Sequence, residues 1–207
     1  MLKHKFLTTS ITLLSAALLT AQEQEQEKGL YIKGNALLAP IGVLNVGLEK
    51  QISKKYTLQG DVFISPWKSF AGHEFQYYSL SFEGRYYFNE AFSKWYIGAN
   101  IAGSAFVLQK WNYWSNSPYI NDKNEVFVSS NLYQKGVSFI LGVTGGYQFK
   151  VSDRWNIDVY ATVGTSQDFY KGYDRNTGQR YESAKKFNKS GEFLPYRGGV
   201  MISYKLK

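Results

Sequence analysis

Few side chains in this sequence have the types and spacing that chemistry demands. His73 is followed by Glu74 and preceded four positions earlier by Ser69, the residue types of a nucleophilic hydrolase. Residues this close in a loop point in different directions, so the spacing predicts a solvated loop histidine, with no catalytic residue in the chain. His4 falls in the leading segment and cysteine is absent, which leaves His73 alone and rules out a zinc site built from His and Cys. Asp174-Arg175-Asn176-Thr177-Gly178 invites a calcium-loop comparison, but its glycine is fifth instead of sixth and Lys185 stands where the twelfth-position acid belongs. A turn joining the last two strands is expected there, flanked by Tyr170, Tyr173 and Tyr181 as a ribbon. Neither GxxxxGK[ST] nor a GxGxxG entering a helix occurs, so no metal or cofactor is implied.

The most ordered polar set is charged. Glu49, Asp61, Glu83 and Asp158 share one face of their strands with Lys33, Arg85, Lys150, Arg197 and Lys205. Glu83 and Arg85 lie two apart on one strand, and Lys150 and Asp158 are near-diagonal across the turn at 152–154. An unpaired charge in a narrow bore costs several kcal/mol, so the near-balance predicts an ion-paired plug; a narrow passive pore is the alternative.

Recognition is left to the connections. Trp111, Tyr113, Trp114, Tyr119 and Phe127 crowd one long segment, and Lys171, Arg175, Arg180, Lys185, Lys186 and Lys189 another. Interfacial anchoring by the aromatics, contact of the bases with anionic lipopolysaccharide, and binding of a surface partner are expected of them.

The elements that hold these residues are strands. After Lys28 no helical period persists, whereas period-two alternation recurs over 30–39, 43–52, 56–67, 75–88, 95–108, 135–151, 155–170 and 194–206. One face is apolar, as in Leu44, Val46 and Leu48 or Tyr78, Leu80 and Phe82, and includes Tyr196; the other is polar. Aromatic residues gather at strand ends, including Tyr56, Tyr86, Trp95, Tyr147, Trp155 and Tyr204. Short links at 53–55, 89–94 and 152–154 alternate with longer ones at 68–74, 109–134 and 171–193. Those features predict an all-β, eight-stranded antiparallel transmembrane barrel of the outer-membrane type in one domain, residues 30–207.

The first 21 residues read as a cleaved secretory signal: Lys3, His4 and Lys5 are followed by an apolar run and by Ala21 before Gln22. Removing them lowers the formal charge from +8 by the two lysines, a mild and dispersed excess that does not argue for nucleic acid. Residues 22–29 read as a flexible periplasmic leader.

Arg197-Gly198-Gly199-Val200-Met201-Ile202-Ser203-Tyr204 resembles the last-strand signal by which outer-membrane barrels are recognised for assembly, with Gly199, Ile202 and Tyr204 at its fixed positions. More broadly, from Lys33 onward the chain resembles an uncharacterised family of small barrels from Bacteroidetes outer membranes, a domain of unknown function. The likeness rests on Leu44-Asn45-Val46-Gly47-Leu48-Glu49, Pro66-Trp67, Glu83-Gly84-Arg85-Tyr86-Tyr87-Phe88, Tyr96-Ile97-Gly98-Ala99, Gly145-Gly146-Tyr147 and Arg154-Trp155-Asn156. The resemblance implies an outer-membrane barrel with no known reaction, handled by the barrel-assembly machinery, with a surface or fimbrial partner. A structural or surface-binding role is therefore expected, with a narrow pore or a lipid-modifying enzyme as alternatives.

Overall fold

The structure, a computed structural model, describes residues 28–182 and 188–207. The signal-cleavage pair Ala21 and Gln22, and the loop bases Lys185 and Lys186, lie outside the described residues.

Eight strands close into an antiparallel barrel: β1 (Leu30–Asn35), β2 (Leu44–Gln51), β3 (Tyr56–Phe70), β4 (His73–Tyr87), β5 (Lys94–Leu108), β8 (Leu132–Lys150), β9 (Trp155–Asp174) and β10 (Asn188–Lys205). Between β5 and β8 a small hairpin, β6 (Pro118–Ile120) with β7 (Val126–Val128), stands apart from the barrel sheet. Each barrel strand pairs with its sequence neighbour, and β1 closes the ring on β10 through Tyr31↔Lys205 to Asn35↔Met201.

Alternation decides what each wall holds. Leu48, Leu58, Leu80, Phe82, Ile101, Phe139, Leu141 and Val143 all stand exposed on the outer wall, while the residues between them turn inward and are mostly buried. At the end where the links are short, three aromatic pairs sit directly across strands: Tyr56–Tyr86 at 5.1 Å, Trp95–Tyr147 at 5.0 Å and Trp155–Tyr204 at 4.8 Å between ring centroids. From Val137 to Phe149 the outer face of β8 is apolar apart from Gly145. Those twelve steps span about 40 Å along the strand, or roughly 30 Å in height at a barrel tilt near 45°.

Three expectations are corrected. The 68–74 connection is not a longer loop: β3 and β4 run on to Phe70↔His73, and Ala71 (φ 50°) with Gly72 (φ 88°) forms a two-residue turn. Positive φ at both central residues matches the twist of the flanking strands, which explains the tight closure. The ribbon beyond the barrel is made by β8 and β9, with Leu132 opposite Asp174, whereas β10 joins only at Asn188↔Tyr170. The expected turn at 174–178 is there: Asp174 Oδ1 accepts from the backbone N–H groups of Asn176 and Thr177, and Gly178 N–H donates to the Asp174 carbonyl at 2.8 Å.

The third concerns Tyr196, which was expected on the apolar outer face. A register shift between Pro195 and Arg197 inserts one residue into β10. Tyr196 therefore turns inward beside Arg197, and its hydroxyl donates to Asn100 Oδ1 at 2.7 Å. Space for the ring comes from Gly142 and Gly164, which face each other across β8 and β9. A Cβ on Gly164 would stand 2.2 Å from the Leu141 carbonyl oxygen and 2.7 Å from Gly142 Cα, both backbone atoms that cannot swing away. Gly164→Ala is expected to cost about 2 kcal/mol or more in urea unfolding. Gly145→Ala, whose Cβ meets nothing within 4 Å, should leave the midpoint unchanged.

Candidate functional site

The inward charged residues form one connected network. Glu83 and Arg85 sit two apart on β4, so both point inward, and Arg85 Nε donates to Glu83 Oε1 at 2.5 Å. Gly98 lies opposite Arg85 in the register and leaves room for these side chains, since a Cβ there would come within 3.1 Å of Glu83. Arg85 Nη1 reaches Asp158 at 2.8 Å and Glu49 at 3.2 Å, and its guanidinium stacks 4.5 Å from the centroid of Tyr96. Lys33 bridges the same two carboxylates, at 2.5 Å from Glu49 and 2.6 Å from Asp158. A second knot forms where Arg197 Nη1 donates to both oxygens of Asp61 at 2.9 Å and Nη2 to Glu83 at 3.2 Å.

Four carboxylates thus meet three cations, and hydroxyl and amide donors carry the difference. Thr57 and Tyr87 donate to Glu49, Tyr96 to Asp158 at 2.8 Å, Thr144 and Asn100 to Glu83, and Gln59 to Asp61. Hydrogen bonds to ionised groups are about twice as strong as neutral ones, so these donors hold the extra negative charge. All eight barrel strands contribute: β1 through Lys33, β2 through Glu49, β3 through Asp61, β4 through Glu83 and Arg85, β5 through Tyr96, β8 through Thr144, β9 through Asp158 and β10 through Arg197. The network therefore ties the wall together across the bore.

The pairing expected between Lys150 and Asp158 is not formed. Lys150 is at the last position of β8, where the wall opens to solvent; its side chain is 65% exposed and pairs with Asp153 of the adjacent turn at 3.5 Å. Lys205, at the end of β10, also stays out of the network. Tyr87, Tyr96, Tyr160 and Met201 fill the interior beside it as one cluster, and were not singled out in the sequence. Their signal was parity alone: Tyr87 follows Glu83 and Arg85 by even steps, and Tyr96 precedes Asn100 by four. In the last-strand motif, Ile202 and Tyr204 face outward, while Gly199 faces inward so closely against Asn35 that a Cβ would strike its side chain.

At the loop end, the aromatic segment is folded, and only part of it projects. Tyr113, Phe127, Leu132 and Tyr181 form a small core, with Tyr119 packed against it. Tyr113 and Tyr119 are therefore corrected from exposed contacts to core members, because tyrosine rings from two loops bury more area against each other than against water. Asn121 binds this cap together: its Oδ1 accepts from the N–H groups of Lys123 and Glu125, and its Nδ2 donates to the Tyr181 carbonyl at 3.1 Å. Gln134 donates to the Tyr181 hydroxyl, and burial pushes that phenol far above its ordinary pKa. Burial also raises Tyr119, to about 12.

The cap also exposes apolar groups: Trp111, 81% accessible, with Trp114, Ile120 and Val126. Trp114 stacks on His73 at 4.4 Å, and His73 Nδ1 lies 2.6 Å from Gln109 Oε1. No carboxylate or serine hydroxyl accompanies that histidine among the described hydrogen bonds. Arg175, expected among the external contacts, clamps Glu74 through two hydrogen bonds of 2.6 Å and so pins the β9 turn to β4. Lys171 stands opposite Lys135 where β9 leaves the apolar band, and Arg180 donates to the Glu182 carbonyl at 2.9 Å.

The molecule is thus a closed eight-stranded barrel with a hydrogen-bonded, ion-paired interior and a folded cap at one end. Over residues 9–206 the chain matches the family described as protein of unknown function, DUF3575, and it belongs to that family. No curated protein matches it.

Proposed function

We propose that this protein is a small outer-membrane barrel whose bore is filled and whose capped loop end makes contacts at the cell surface. The observation that carries the reading is the inversion of the two walls: exposed Leu, Phe, Ile and Val outside, and ionised, mutually bonded side chains inside. In water such an outer wall would drive aggregation, whereas in lipid a closed sheet satisfies every backbone hydrogen bond within itself. The apolar height near 30 Å and the cross-strand aromatic pairs at the short-link end support the same assignment. Trp111, Trp114, Ile120 and Val126 then offer a surface for a cell-surface partner, and the bases near the apolar margin suit anionic lipopolysaccharide.

A filled bore argues against the pore alternative, because opening a path would mean separating fully buried ion pairs. The lipid-modifying alternative has no support in the surroundings of His73.

The test is fractionation with N-terminal sequencing, followed by reconstitution. The protein is expected in outer membranes, beginning at Gln22, and refolded into planar bilayers it should give no discrete conductance steps. Recovery in a soluble fraction would overturn the membrane assignment, and regular channel openings would overturn the filled bore.

A further inference from the structure

At the short-link end, opposite the cap, the barrel opens into a polar cavity of about 300 Å³. That is room for a small ligand, at the lower end of the range of about 300–1,000 Å³ usual for such sites. The turn between β4 and β5 builds one wall. Its Ala91 N–H donates to the Lys54 carbonyl at 2.9 Å, which ties it to the turn after β2. The same turn tucks Phe92 into the bore, buried, with its ring centroid 4.3 Å from that of Tyr31. Phe92 holds this place at φ 65°, a left-handed conformation uncommon outside glycine, so the chain accepts backbone strain to keep the ring under the opening.

Both signs of charge line the one space: Lys54, Lys150 and Lys205 with Glu90 and Asp153. Lys150 and Asp153 approach only to 3.5 Å, with side chains 65% and 100% exposed, so their pairing is weak in water and each can take another partner.

Asn156 also lines the cavity, and it is 2% exposed. Its Nδ2 donates to the Phe92 carbonyl at 3.5 Å, while its Oδ1 has no hydrogen-bond partner. Turning the amide over would set its oxygen against that carbonyl, so the acceptor is the atom left free. A buried acceptor without a donor is costly, and this one calls for an N–H group from a ligand.

We propose that the cavity binds a small zwitterion, an amino acid or short peptide whose ammonium and carboxylate are both free. The carboxylate meets the lysines. The ammonium donates to Asn156 Oδ1 and is balanced by Glu90 and Asp153, and the stem between them lies on Tyr31 and Phe92. A plain anion would serve the lysines but leave Asn156 Oδ1 unmet beside two repelling acids; a plain cation fails in the opposite sense. This inference does not depend on the membrane assignment.

The experiment titrates the folded protein, in nonionic micelles, with alanyl-alanine and reads the backbone amide resonance of Phe92 by NMR. A saturable shift is expected at about millimolar concentration, as suits a few charge-assisted hydrogen bonds at an open site. N-acetyl-alanyl-alanine, which lacks the ammonium, and alanyl-alanine amide, which lacks the carboxylate, should each bind about tenfold more weakly. Alanine in parallel separates the two sources: equal binding assigns the site to free amino acids, weaker binding to peptides. Lys54→Gln combined with Lys205→Gln, both away from the interior ion pairs, should weaken the dipeptide about tenfold with heat-dependent gel mobility unchanged. Asn156→Leu, where it folds, should bind the dipeptide no better than the acetylated form. No shift up to about 50 mM dipeptide overturns the proposal. So does equal binding of the dipeptide, its acetylated form and inorganic phosphate, which would make the cavity a general anion site.

Discussion

Arg85→Leu is expected to prevent stable folding, or to lower the urea midpoint by far more than any surface change. Arg85 holds Glu83, Glu49 and Asp158 at once, all fully buried, and a leucine would leave three carboxylates sharing Lys33 and the more distant Arg197. Removing one member of a buried ionic network costs about 3–5 kcal/mol, because the stranded charges have lost their hydration and gained nothing. That approaches the whole stability of a small domain, about 5–15 kcal/mol. Arg175→Leu breaks a pair that is bidentate but partly exposed, and should cost about 1 kcal/mol or less. Arg85→Lys should fall between the two, since a lysine keeps the charge but cannot point one nitrogen at Glu83 and another at Asp158. Equal midpoints for Arg85→Leu and Arg175→Leu in micelles would show that the interior network is not what stabilises the barrel.

The network was legible in sequence because period two is a local rule. Glu49, Asp61, Glu83, Arg85, Asp158 and Arg197 could be placed on one face by counting, and a closed ring makes that face converge. Counting fails where the register is interrupted or the strand ends. Tyr196 was misplaced because a bulge changes parity at one residue, and nothing in Leu194-Pro195-Tyr196-Arg197 announces which residue is extra. Lys150 has the right parity but stands at the mouth, where its long stem reaches water and Asp153 instead of the bore. The tight turn at Ala71-Gly72 was missed because its first residue is an alanine with positive φ, which propensity argues against.

The cap was the least legible part, since its core joins residues far apart in sequence. Tyr113, Tyr119 and Phe127 come from the segment after β5, Leu132 from β8 and Tyr181 from the segment after β9. A cluster of aromatic residues in a long connection reads equally well as exposed anchors or as a small core. Only the pairing of β8 with β9 beyond the barrel, which brings Gly172 beneath Tyr181, decides for the core. Recognition then passes from the tyrosines to the apolar groups that the cap leaves outside, Trp111, Trp114, Ile120 and Val126.

Excising the cap should separate folding from recognition. Replacing residues 111–131 with a short Gly-Ser linker removes Tyr113, Tyr119, Phe127 and the β6–β7 hairpin but spares the barrel strands, whose ladder from Lys94↔Gln148 to Leu108↔Gln134 is complete without them. Loop closure costs grow slowly with length, so the barrel is expected to fold and to keep its heat-dependent gel mobility. Tyr181 loses its burial in this variant, and its phenol should ionise near the ordinary tyrosine range in a spectrophotometric titration, where the intact protein holds it well above. Retrieval of surface partners from whole cells should fall at least tenfold, since aromatic groups such as Trp111 and Trp114 carry most of the energy where they make contact. If the variant folds, releases Tyr181 and still retrieves the same partners, the cap serves only to close the barrel, and binding belongs to the basic segment around Lys171 and Lys189.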